Sequence, residues 1–172
     1  MANYVLLPHK FVDMILRKIE PKDNAQIAKV IRDVFDELDA PKVGTAYADP
    51  ILDTLFEVYQ QPRSVYYVVE NEGVVLGGCG IAPLENGATH ICELQKMYFA
   101  PEIRGTGMAK TMIENCLQFA KENDFTLCYL ETLSFMKAAQ KLYTNLGFKA
   151  IDAPLGCTGH SSCEVWMTKE LQ

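Results

Sequence analysis

A chain of 172 residues, 49% hydrophobic and 22% charged, is long enough for one domain with a sizeable core, and its composition excludes disordered and fibrous classes. The net charge of −6 argues against a nucleic-acid surface, which needs clustered Lys and Arg, and fits a cationic partner only weakly. No apolar run is long enough to span a membrane.

Residues 1–13 show no clean period and are read as an N-terminal extension or short arm, with a single domain over 14–172. Ile15 to Ile19 reads as a first strand, ended by Pro21, and Asp23 or Asn24 can cap the helix that follows. In that helix Ile27, Val30, Ile31, Val34, Phe35 and Leu38 repeat at helical spacing. Asp49-Pro50 then predicts a second, short helix running to Tyr59. Asp39, Tyr47 and Asp49 cluster near the intervening loop, either as caps and solvated groups or as a wall that receives an amine.

Residues 64–70 and 74–82 are β-rich runs joined by Asn71-Glu72-Gly73, a hairpin signal, and Gly77-Gly78 suggests a bulge or a close backbone approach. A third strand, about 89–99, leads into Pro101 and the turn Arg104-Gly105-Thr106-Gly107. A helix follows at once, with Ala109, Met112, Ile113, Cys116, Leu117 and Ala120 on one face. The first amides of a helix lack partners within it and its dipole favours negative charge, so this turn is a phosphate site in type, with Arg104 adding donors and the glycines leaving room. It matches neither the G-x-x-x-x-G-K-[ST] loop nor the dinucleotide fingerprint.

Residues 126–131 form the next strand, in an order that implies a β-α-β crossover and a parallel pair. A helix from about Ser134 carries Phe135, Ala138, Ala139, Leu142, Tyr143 and Leu146 on one face and ends at Gly147. Strands at 148–153 and 163–168 close the chain, with Trp166 assigned to the core. The loop at 154–162 between them could overhang a site.

Six cysteines, with nothing resembling a cleavable signal peptide before them, are expected as reduced and mostly buried thiols in the cytoplasm. Cys157, His160 and Cys163 supply only three ligands at a spacing unlike paired C-x-x-C sets, so no metal is expected. His90 and His160 are candidate substrate-side groups, though a lone histidine is more often structural.

The element order β-α-α-β-β-β-α-β-α-β-β, with Arg104-Gly105-Thr106-Gly107-Met108-Ala109 satisfying the phosphate-loop pattern Q/R-x-x-G-x-G/A and Ala139, Leu142, Tyr143, Gly147 and Phe148 matching A-x-x-L-Y-x-x-x-G-F, resembles the GNAT superfamily of acyl-CoA N-acyltransferases. The resemblance covers residues 14–171. It implies an α/β fold in the broad sense, α+β with a mixed sheet: a central, mostly antiparallel, twisted sheet of about seven strands, with strands 4 and 5 parallel and splayed, flanked by four helices. Acetyl-CoA as co-substrate would lie in the opening between strands 4 and 5. Its pyrophosphate would rest on Arg104, Gly105, Thr106, Gly107, Met108 and Ala109, and its arm along Met97, Tyr98, Phe99, Ala139 and Leu142.

The implied reaction moves an acetyl group to a primary amine of a small molecule or peptide by direct attack, without an acyl-enzyme. The other class the resemblance allows is an inactive CoA-binding module or sensor. An alkyl amine is free base only about one time in a thousand at neutral pH, so a base should help. Glu93 holds the position where some family members carry one, with the alternatives of a structural glutamate or of Glu131 as the acid. Tyr143 matches the tyrosine that hydrogen-bonds or protonates the departing thiolate; otherwise it is a core tyrosine. Met136 departs from the family, many members of which have asparagine there. Dimers are common in the family, so a homodimer is open, and the acidic loop at 39–49 hints at a cationic acceptor.

Overall fold

Alternating apolar runs with turn residues between them pair as one seven-stranded sheet in the computed structural model, which describes residues 14–172; the expected extension at 1–13 lies outside the described residues. The strands are β1 (Met14–Lys18), β2 (Val65–Asn71), β3 (Val74–Pro83), β4 (Ile91–Phe99), β5 (Leu127–Thr132), β6 (Lys149–Ile151) and β7 (Val165–Glu170), in the spatial order β1-β2-β3-β4-β5-β7-β6. All neighbours are antiparallel except β4 and β5. The helices are α1 (Asn24–Glu37), α2 (Leu55–Val58), α3 (Met108–Glu122) and α4 (Lys137–Asn145).

The sheet has a core on each side, because β2 alternates two buried sets. Val65 and Val69 face the cluster built on Met112, Ile113 and Cys116 of α3. Tyr66 and Val68 face the cluster built on Ile27, Ile31 and Phe35 of α1. At about 25 cal/mol per Å² of apolar surface removed from water, these two faces supply most of the drive to fold.

Several local expectations change in detail. Asp23 does not cap α1 with its side chain: the fully buried carboxylate accepts two bonds from the Arg17 guanidinium at 2.6 and 2.9 Å and one from the Glu20 amide at 2.8 Å. Arg17 also reaches Glu70, so this cluster ties β1 to β2 and to the start of α1. The expected helix from Asp49 to Tyr59 is broken into a 3-10 turn and the single turn of α2. Asp49 bonds the Ile51 amide only two residues on, at 3.2 Å, which makes a turn rather than a helix cap. Leu38 lies past the end of α1 and is 41% exposed. Trp166 is half-buried, since the alternation of β7 turns Met167 inward instead.

The feature that shapes the site is a bulge in β4. Gly78 lies opposite Tyr98 and Gly80 opposite Gln95, so β4 places Lys96 and Met97 against the single residue Cys79. Lys96 takes the left-handed φ of +50°, uncommon for a lysine. The glycines expected to mark a bulge or a close approach lie on the strand opposite it, and the close approach is made by a ring. A Cβ on Gly78 would sit 2.4 Å from the Tyr66 ring, whose hydroxyl donates to the Lys96 carbonyl at 2.8 Å.

Replacing Gly78 by alanine should therefore overpack this junction. Chemical denaturation of Gly78→Ala should show a loss of about 1–3 kcal/mol relative to the parent, at an unchanged denaturant slope.

Candidate functional site

The turn after β4 starts at the 3-10 segment Pro101–Ile103, where Arg104 N bonds Pro101 O at 3.2 Å. The Thr106 hydroxyl donates to the Ile103 carbonyl at 2.7 Å and accepts from the Met108 amide at 3.4 Å, which folds the chain into the first turn of α3. Gly105 and Gly107 have φ of +76° and +88°, where a side chain costs about 1–2 kcal/mol, and an added Cβ would meet nothing within 4 Å at either. The glycines serve the backbone path and place no side chain over the head of α3.

A cavity of about 470 Å³ runs from this turn along the opened edge of β4. One wall is Met97, Tyr98 and Phe99; the facing wall is Ala139 and Leu142 of α4; Arg104, Gly105, Gly107 and Ala109 close its end. Two exposed apolar side chains, Leu38 and Phe135, stand at its rim. Of the residues the sequence assigns to the cofactor, Thr106 and Met108 do not line it: Thr106 is spent on the turn, and Met108 packs toward the core. The Arg104 guanidinium does not point freely at the turn. It grips Glu37 of α1 with two bonds, 2.8 and 2.7 Å, and donates to the Phe99 carbonyl at 3.0 Å.

The cavity meets a second, small and polar chamber, and Met97, Tyr98, Met136 and Ala139 belong to both. The parallel ladder between β4 and β5 ends at the pair Glu93 and Tyr129. Beyond it the strands separate, so Glu93 stands at the apex of the gap, 3% exposed. Burial raises its carboxyl, the hydrogen bond from Gln95 Nε2 at 2.6 Å opposes that, the Glu131 carboxylate adds to the rise, and the balance pushes it up to about 7. Tyr143 lies in the same chamber, buried, its hydroxyl 4.0 Å from Met97 Sδ and its ring 5.9 Å from that of Phe148. Burial, with nearby thiols and Tyr98, moves its phenol well above the ordinary value of 10, so the proton stays on.

Charged groups on two loops complete the chamber. Lys96 Nζ sits 2.7 Å from Asp49 Oδ2, with both side chains largely buried. Burial alone would raise the Asp49 carboxyl, but His160, Lys96 and the Ile51 amide hold it well below the usual carboxylate range. Glu131 accepts from the Tyr129 hydroxyl at 2.6 Å and from Thr158 at 2.7 Å. His160 reaches Asp49 at 3.8 Å and Glu131 at 4.0 Å. One ligand atom each from Glu93, Glu131 and His160 lies within 4.8 Å of the others, an arrangement that suits the N–H groups of an ammonium as well as a metal ion.

The loop at 154–162 does overhang the site, held by Ser162, whose amide bonds the Gly44 carbonyl at 3.1 Å and whose hydroxyl bonds the Val43 carbonyl at 3.0 Å. It brings His160 to two glutamates rather than to Cys157 and Cys163, of which Cys157 is exposed. All six cysteines are free. Cys163 lines the chamber, and burial followed by the Glu131 and Glu93 charges pushes its thiol up to about 12. His90 is exposed on the turn before β4, outside the chamber. Asp39 is exposed at the end of α1, and Tyr47 packs edge-on against Phe35 beneath Lys42, so of the three loop residues Asp49 alone pairs with a charge of the chamber, Lys96. Sequence reasoning missed Lys96 and Gln95. The signal was a lysine and a glutamine inside the apolar run Leu94 to Phe99, with Gln95 two residues from Glu93 on the same strand face.

Residues 31–148 match the family model described as Acetyltransferase (GNAT) family. The chain is 53% identical over 159 residues to the Uncharacterized N-acetyltransferase YjgM of Escherichia coli (strain K12), a match covering 91% of this chain and 95% of that one. Among solved structures it is similar to an acetyltransferase of GNAT family from Staphylococcus aureus Mu50, with TM-score 0.82 and 18% identity over 93% of this chain and 100% of that one. It is also similar to yncA of Salmonella typhimurium, solved with acetyl-CoA, with TM-score 0.72 and 18% identity over 93% and 95% of the two chains. At these identities the structures speak for the fold alone.

The raised Glu93 carboxyl has a stability consequence. A folded-state value above the unfolded one gives a contribution that is present below about 4.5 and lost as pH rises through about 7. Glu93→Gln should therefore melt a few degrees higher than the parent at pH 8, with the difference shrinking toward pH 4.5; differential scanning calorimetry across pH measures it.

Proposed function

This chain belongs to the GNAT family of acetyltransferases, and we propose that it moves the acetyl group of acetyl-CoA to a primary amine, bound together with it, by direct attack. The observation that carries the reading is the junction of the two spaces: an apolar groove ending at the glycine turn before α3 opens, through Met97 and Met136, into a chamber holding Glu93 and Tyr143. The groove fits a long, flexible arm with phosphates at one end, and the left-handed Gly105 and Gly107 leave the backbone open to their oxygens. The thioester supplies the acyl carbon at the junction.

Glu93, with a carboxyl near 7, takes the proton that the acceptor nitrogen must lose as the N–C bond forms. Tyr143, with its proton firmly held, donates to the sulfur as the C–S bond breaks. A direct route is favoured over one through a cysteine, because the chamber thiol, Cys163, is held protonated and is a poor nucleophile. Glu93 and Glu131 face the chamber while Lys96 is already paired with Asp49, which favours a cationic acceptor, and the small chamber favours a slender one.

Thiol release from acetyl-CoA with a panel of primary amines tests the reading. Tyr143→Phe should lower kcat on the order of 10²-fold while acetyl-CoA still raises the melting temperature. Thermal stabilisation by acetyl-CoA without release for any amine would instead mark a binding module.

A further inference from the structure

Glu93 is held from behind. The Gln95 side-chain Nε2 donates to Glu93 Oε2 at 2.6 Å, and Gln95 Oε1 accepts from the Tyr59 hydroxyl at 2.7 Å. Tyr59 is 4% exposed and lies at the end of α2, far from β4 in sequence. It reaches Gln95 because the residue paired with Gln95 across the sheet is Gly80, over which the Tyr59 ring lies: a Cβ there would stand 2.6 Å from the ring. Its neighbour Tyr66, 5.1 Å away between ring centroids, does the same over Gly78 and bonds the Lys96 carbonyl. Two glycines on β3 thus let two tyrosines grip consecutive residues of β4 at the bulge.

We propose that Gln95 and Tyr59 are positioning residues for Glu93, the Gln95 amide aiming the carboxylate into the chamber and the Tyr59 hydroxyl fixing which way that amide points. The inference rests on Glu93 being the base. Its chemistry is directional: an ionised carboxylate only accepts, so Gln95 must present nitrogen to it, and the oxygen left behind needs a donor, which the phenol supplies. A free amide could turn its oxygen toward Glu93 and repel the charged form. The Tyr59 phenol is buried and stays protonated, so the donor persists. The Gln95 bond favours the carboxylate form, against a burial that outweighs it. The other groups facing Glu93 are Glu131, Tyr129 and Cys128 of β5, His160 and Cys163 of the overhanging loop, and Lys96 of its own strand.

The test is the pH profile of kcat/KM for thiol release with the parent's best amine. Loss of the Gln95 donor removes an influence that lowers Glu93's proton affinity, so Gln95→Met should move the acidic limb upward, cutting the rate at pH 7 on the order of tenfold and restoring it at high pH. Tyr59→Phe deletes one oxygen and should move the limb the same way by less. Gly80→Ala, which displaces the ring, should reproduce Tyr59→Phe. If the larger substitutions do not fold, Tyr59→Phe alone decides. A limb that stays in place, with the rate lowered uniformly or unchanged, overturns the proposal. Glu93→Gln, run alongside, separates the two levels. If it erases the limb while Gln95→Met leaves the limb unmoved, the base reading stands and the positioning falls. If the limb survives Glu93→Gln, the base reading itself fails, and the positioning with it.

Discussion

One extra residue in β4 governs the geometry of the site. Up to Glu93 the strand pairs with β3 on one side and β5 on the other. At Lys96 the backbone enters the left-handed region, two residues take the place of one, and the strand past this point no longer runs alongside β5. A bulge bends a strand and re-aims the side chains around it. Here it leaves Met97 to Phe99 as the wall of a groove, with an inner edge unpaired against β5, and it turns the Lys96 side chain into the chamber beside Asp49. The bend survives because it is held: Tyr66 bonds the bulge carbonyl from the α1 side, through a space that a side chain on Gly78 would fill.

The chamber at the apex gathers more charge than a buried space ordinarily tolerates, yet among the described residues no buried side-chain nitrogen or oxygen lacks a partner. Asp49 has Lys96 and the Ile51 amide, Glu131 has Tyr129 and Thr158, and Glu93 has Gln95. The pairing is uneven, and the unevenness is what makes chemistry available. Asp49, facing a cation, stays ionised. Glu93, whose hydrogen bond from Gln95 and whose neighbours His160 and Lys96 are outweighed by burial and a second carboxylate, sits between its two protonation states near neutral pH. Two neighbouring, largely buried carboxylates are thus separated in role by their surroundings.

Much of this was legible in the residues. The hairpin at Asn71 to Gly73, the amphipathic faces of α1 and α3 and the turn at Arg104 to Gly107 are local patterns, and each appears where its period and punctuation place it. The motif residues Gly105, Gly107, Ala139, Leu142 and Tyr143 do converge on the groove and chamber. What misled was equally local. Asp23 reads as a cap until Arg17 and Glu70 claim it, and Asp49 reads as a helix start although its carboxylate belongs to Lys96. Arg104 reads as a free cation for phosphate, while Glu37, 67 residues away, holds its guanidinium.

By itself, then, the sequence determined most of the strands and helices, the glycine turn before α3 and the family resemblance, because hydrophobic period, glycine conformational freedom and motif spacing are properties of neighbouring residues. The tertiary structure alone decided which charges share the chamber. The Lys96–Asp49 pair, the meeting of His160 with Glu93 and Glu131, and the reach of Tyr59 across Gly80 to Gln95 join segments tens of residues apart. Such contacts are set by sheet register and by where a single bulge falls, and a register is a relation between strands that no one stretch of chain contains.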